Sequence, residues 1–230
     1  MKRSFAAMTT RQSGLLPAAA AAAVAWGLFL FAAAAVPAST LPEKSRNHFD
    51  SDAPMRAPGF FDFLVLGAPG EAEWRIVTEF NPPSAPNGVS QILEQRPSQS
   101  IAAAVRRNVT LRDGTVSLGV KRLQGQGGVV VRLANEKNFL ALLIDPVSGE
   151  ARLMDYRDGR ASELARGKGE GQRDWGQLVV TLAGPKISAT WEGKPLLEGT
   201  DPAPTSGRAA IATAGPGIMT FDEFVIEPKE

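Results

Sequence analysis

Two apolar runs, Val129–Leu133 and Phe139–Ile144, flank a polar connector, Ala134–Asn138, within the stretch Gly127–Asp145. Each run is apolar at consecutive positions, the pattern of a strand covered on both faces, and runs this short also admit a helical reading. The β-branched valines and the flanking glycines favour strand, and the stretch reads as a central hairpin. Elsewhere the pattern has period two, so alternate residues share a face. Trp74, Ile76 and Thr78 align in this way, as do Val116, Leu118 and Val120, then Leu178, Val180 and Leu182, and then Ile187, Ala189 and Trp191. Asp113-Gly114 and Asp158-Gly159 are hairpin-turn pairs. Pro82, Pro83 and Pro86 make Asn81–Gly88 a loop. The runs from Phe60 to Ile226 amount to about 13 short antiparallel strands at 8–12-residue spacing with no long helical period, which predicts an all-β sandwich.

The N-terminal pattern is different. Lys2, Arg3 and Arg11 precede an uncharged run from Gln12 to Pro42, most apolar over Ala18–Val36, and Val36-Pro37-Ala38 has the small residues of a cleavage site. These features predict a signal peptide over residues 1–38. The alternative is an uncleaved anchor helix, because about 20 apolar residues can span a bilayer. Both readings export the domain, to the periplasm or beyond. Only the uncleaved form would keep it on a membrane. Residues 39–58 are polar and broken by Pro42, Pro54 and Pro58, which predicts an irregular linker before a domain over 59–230. His48, the chain's one histidine, lies there beside Asp50 and Asp52. It is a candidate metal ligand or a solvated linker residue, and the lack of further ligands favours the second reading.

Composition narrows the function. The chain has no cysteine, which removes disulfides, thiolate nucleophiles and cysteine-based zinc sites. Residues 39–230 carry 22 Lys and Arg against 24 Asp and Glu, a net of −2. A mildly acidic domain lacks the basic footprint of a nucleic-acid binder.

Four pieces of the chain, in order, resemble the concanavalin A-like jelly rolls of the laminin-G and 3-keto-disaccharide hydrolase-like type. Gly128–Asp145 is similar to that family's hairpin, with Arg132, Asn138 and Phe139 in place. Trp175–Val180 resembles its Trp-x-x-Leu-x-Val strand, and Ile187–Leu196 its Gly-Lys hairpin. Gly207–Val225 resembles its closing Phe-Asp-x-Phe-x-Val segment. The resemblance implies a jelly-roll β-sandwich. It leaves function open among lectins, glycan-binding modules, glycosidases and interaction domains, because sites are grafted onto folds.

Catalytic constellations are sparse. The laminarinase-type Glu-x-Asp-x-x-Glu strand, which sets two carboxylates on one face, does not occur. Glu79, Glu94, Asp155, Asp158 and Glu192 are available, but the sequence does not pair them. No nucleophile elbow is present, and the glycine clusters Gly125–Gly128 and Gly167–Gly171 lack phosphate-loop spacing. The resemblance points to calcium as a possible structural cofactor, with Asp222 as a candidate ligand; the alternative for Asp222 is a strand-end hydrogen bond. Tyr156, near a turn, is a candidate sugar platform. Arg132, where core gives way to rim, is either an ion-pair residue or a bidentate ligand contact. Asn138 stands beside it. The expectation is an extracytoplasmic module without a catalytic site, binding a polysaccharide or another envelope component. The alternatives are a glycoside hydrolase of the 3-keto-disaccharide type and a laminin-G-like protein-interaction domain.

Overall fold

The computed structural model describes residues 44–67, 72–86, 88–96, 98–122 and 125–229. The expected signal or anchor segment over 1–38, with its cleavage site, lies outside the described residues. In chain order the strands are β1 (Ser45–Asn47), β2 (Phe61–Leu66), β3 (Trp74–Phe80), β4 (Val89–Gln95), β5 (Ser98–Leu111), β6 (Gly114–Arg122), β7 (Gln126–Asn135) and β8 (Asn138–Ile144). They continue as β9 (Glu150–Arg157), β10 (Arg160–Lys168), β11 (Gly176–Ala183), β12 (Lys186–Trp191), β13 (Lys194–Thr200), β14 (Gly207–Gly215) and β15 (Met219–Pro228). No described residue is helical.

Two antiparallel sheets result. One runs β13-β12-β11-β6-β15-β4-β3, with β1 also paired to β15, and the other runs β10-β9-β8-β7-β14-β5-β2. Fifteen strands replace the expected 13 or so. The unforeseen one is β1, inside the stretch expected to be an irregular linker. Its residues, Ser-Arg-Asn, have no period of their own. They are held by pairing with β15, Arg46 opposite Val225. Phe49, just beyond, is 3% exposed and packs 5.9 Å from Phe61, centroid to centroid. His48 is likewise not a free linker residue, since its Nδ1 lies 2.9 Å from a Glu223 carboxylate oxygen.

The main core lies between the sheets, and the period-two faces supply it. Leu118, Val180, Ile187 and Trp191 enter from one sheet, and Val129, Leu140, Leu142 and Ile211 from the other. The central hairpin forms as expected, with Val129 opposite Leu142 and Val131 opposite Leu140. Its strands are buried on both faces. The outward residues Val130, Ala141, Ala210, Ala103 and Val105 join a second apolar cluster, whose members all belong to the seven-stranded sheet. A Cβ on Gly128 would stand 2.1 Å from the Leu142 carbonyl oxygen, so that position admits only glycine without a shift of backbone.

Candidate functional site

The four residues singled out by sequence occupy different environments. Arg132 is 2% exposed and sits at φ 52° in a bulge of β7. Its guanidinium donates to Asp201 Oδ2 at 2.6 Å and to the carbonyl oxygens of Arg112 and Gly184. Asp201, with no exposed surface, also accepts from Arg157 at 2.8 Å and from the Ala203 N–H. Arg157 lies 2.8 Å from Asp155 as well. Arg132, which also lies 3.9 Å from Asp113, is therefore the enclosed centre of an ion-pair chain that fastens the β13–β14 loop to the seven-stranded sheet. This is the ion-pair arrangement, with the guanidinium donors turned inward to Asp201 and to carbonyl oxygens. Sequence reasoning missed Asp201, its partner. Asp201 opens a proline-rich loop, and nothing local ties it to a residue 69 positions away.

Tyr156 stacks on Phe139, centroids 4.3 Å apart and rings 13° from parallel. It is half-buried at the margin of the outer apolar cluster, and burial raises the pKa of its phenol. One ring face is thus taken by Phe139 rather than offered to a sugar. Asp222 lies on the other sheet with no exposed surface, and its oxygens accept from the Ser84 and Glu223 N–H groups. Desolvation raises its pKa despite those bonds. These residues do not fit calcium. Both Asp222 oxygens are engaged by N–H donors, and neighbouring Glu223 turns to His48. Among the described residues no three His, Cys, Asp or Glu side chains form a metal-holding group. A cleft of about 320 Å³ beside Trp175 is close by, but Lys121 Nζ stands 5.9 Å over that ring and Glu192 is bonded to the Gln177 N–H.

Asn138 does reach a surface cleft. Its amide donates to Asn135 Oδ1 at 3.0 Å, and its carbonyl accepts from the Asp158 N–H at 3.1 Å, joining the β7–β8 and β9–β10 turns. That cleft, about 600 Å³, is one of a series with shared lining residues at one end of the seven-stranded sheet. Leu64 and Arg208 join it to a cleft of about 740 Å³ over β2. Arg107 joins that in turn to one of about 490 Å³ between β1 and β5. In the other direction Asp158 joins it to one of about 480 Å³ at the β9–β10 turn. Together these adjacent clefts form a row, called the groove below, along β5, β2, β14 and two hairpin turns.

At the centre of the groove Asp62 is held between Arg107 at 2.7 Å and Arg208 at 3.3 Å. At its β1 end Arg106 donates to Ser45 Oγ at 3.0 Å and to the Phe60 carbonyl at 3.1 Å. The Arg106 guanidinium also lies 5.2 Å from the centroid of the Phe60 ring, which is 64% exposed. Burial lowers the pKa of Arg106. Among the described residues no carboxylate pairs with it. The groove thus presents fixed guanidinium forks, an amide and an exposed aromatic ring. Such groups hydrogen-bond hydroxyls and anions and stack on sugar C–H faces.

No family model matches the sequence, and no curated protein does. The fold is similar to that of the carbohydrate binding module CBM66 from Bacillus subtilis, with a TM-score of 0.52 at 13% identity over 71% of this chain and 97% of that one. Domain 4 of AbnA, a GH43 extracellular arabinanase from Geobacillus stearothermophilus in complex with arabinotriose, matches with a TM-score of 0.47 at 16% identity over 80% and 93%. A Bacillus subtilis protein of unknown function with a galectin-like fold matches at 0.46 and 12% over 67% and 89%. The first likeness shows the concanavalin-like jelly-roll sandwich that the sequence resemblance implies.

Proposed function

We propose that this chain is an exported, non-catalytic β-sandwich that binds a polysaccharide along the groove from Phe60 and Arg106 to Asn138 and Asp158. The observation that carries the reading is the adjacency of the clefts, neighbours sharing lining residues. A series joined through Arg107, Arg208 and Asp158 suits an extended chain better than a compact metabolite. The likeness to a structure named as a carbohydrate binding module supports it. The groove is poorly equipped for hydrolysis. Its central carboxylate, Asp62, is neutralised by two guanidinium groups instead of standing beside a second acid. On the outer face of the same sheet the one charged cluster, Glu163 with Arg152 and Arg166, likewise sets a single carboxylate between guanidinium groups.

Affinity gel electrophoresis of the full-length chain in gels carrying single polysaccharides tests the proposal. Retardation by at least one of them is expected. Asn138→Ala should weaken it by about 2- to 10-fold, the worth of one or two hydrogen bonds. Migration unaffected by every polysaccharide would overturn the proposal. Export rests on the residue 1–38 pattern. N-terminal sequencing of the exported protein should read from Ser39, whereas a chain still beginning at Met1 would mark an uncleaved anchor.

A further inference from the structure

We infer that the polysaccharide is anionic, a polymer containing uronic acids, and that Arg106 with Phe60 forms the subsite that reads a carboxylated sugar. The inference rests on the groove being the binding surface, and it adds the chemical class of the ligand.

Charge is the first argument. The clefts of the groove are lined by eight Lys and Arg side chains and three Asp and Glu. The rest of residues 39–230 carries 14 basic and 21 acidic side chains. A domain that is acidic overall therefore concentrates positive charge along one groove, which raises the local concentration of an anionic polymer and speeds its capture. A neutral glycan would gain nothing from that separation.

The cleft between β1 and β5 is lined by Lys44, Arg46, Arg106 and Arg107 and by no acid. Three of these are answered from outside it: Lys44 by Glu227, Arg46 by Glu223 at 3.9 Å, and Arg107 by Asp62. Arg106 has no such partner among the described residues. Its donors to Ser45 and Phe60 hold the fork in place, and both partners are neutral oxygens. A partly buried guanidinium without a counter-charge is costly to keep. A planar carboxylate would meet it with two parallel hydrogen bonds. The exposed ring of Phe60 beside it offers an apolar face to the same sugar, and Asn108 and Thr110 line the cleft within reach of hydroxyls.

The test compares polygalacturonate and alginate with their carboxyl-reduced, neutral forms, using the full-length chain in affinity gels and titration calorimetry. The polyuronates should bind more tightly than the reduced polymers, and their binding should weaken as salt rises from about 0.05 to about 0.5 M. Arg106→Ala should lower polyuronate affinity on the order of 10- to 100-fold, as loss of a charge-assisted pair does. Arg106→Lys, which keeps the charge and loses the fork, should fall between. Because Arg106 also braces Ser45, Phe60→Ala provides a second probe at an exposed side chain and should weaken binding without moving the urea midpoint. Equal affinity for the polyuronates and the reduced polymers would overturn this inference and leave polysaccharide binding standing. Binding to neither would overturn both. Retardation by a sulfated polysaccharide or by single-stranded DNA but not by polyuronate would overturn the carboxylate assignment.

Discussion

Asp201 illustrates what one buried carboxylate can hold. It accepts from two guanidinium groups and a backbone N–H, and Arg132, on its far side, is almost wholly enclosed. Removing one member of such a pair strands a charge in a poorly solvated site. Asp201→Asn should therefore lower the unfolding free energy by about 3–5 kcal/mol, measured by urea denaturation. A loss below about 1 kcal/mol, the range of a surface pair, would contradict the network. Tyr156 offers a cleaner readout because it is the chain's only tyrosine. Burial against Phe139 raises its pKa above the ordinary value of about 10. The ultraviolet phenolate signal should then show a midpoint above that value in the native protein and near it in urea. Since the folded pKa is the higher one, the stability linked to this group is fully present below about pH 10 and is lost as pH rises through the folded pKa. Phe139→Ala should bring the native midpoint back down. A native midpoint at or below the unfolded one would contradict the stacked, desolvated ring.

At the scale of elements, the strands whose own residues alternate were legible and the one defined by its partner was not. Leu178–Leu182 and Ile187–Trp191 carry their inward faces in their sequence, and the structure buries those positions. β1 carries no such face, since its position comes from the edge that β15 leaves open. Its attachment makes the stretch before Phe61 part of the domain. Phe49→Ala should cost about 3–5 kcal/mol, the range of a fully buried Phe truncation. A cost near zero would restore the irregular linker. In the central hairpin the glycines are as decisive as the valines. Gly128→Ala should destabilise by about 1–3 kcal/mol, because the added methyl meets the Leu142 carbonyl oxygen of a paired strand. A neutral substitution, read from thermal or urea unfolding, would show that the β7–β8 spacing relaxes.

For the whole molecule, the two sheets divide the work. The interior faces form one core, and the outward face of the seven-stranded sheet is apolar as well. Beyond the Arg152–Glu163–Arg166 cluster on β9 and β10, polar groups gather at one end of that sheet, where β2, β5, β14 and two turns meet. The groove's positive charge in an acidic domain predicts salt-sensitive association with polymers. Arg208→Glu, at the junction of two clefts, should weaken polyuronate binding at low salt far more than at high salt. A salt-independent loss would point to damaged structure at Asp62 instead.

Local pattern was enough for the all-β class, the central hairpin and most strand positions, because period-two burial and turn residues act between near neighbours in the chain. The sequence also marked Asn138, which does line the groove. Who meets whom depended on long-range pairing. Arg132 turned inward because Asp201 comes to it across 69 residues, and Tyr156 is covered because strand register sets it on Phe139. Arg106, Arg107 and Arg208 converge on one groove because antiparallel pairing places β2, β5 and β14 side by side. Such convergence is a property of register and topology, which no local run of residues encodes.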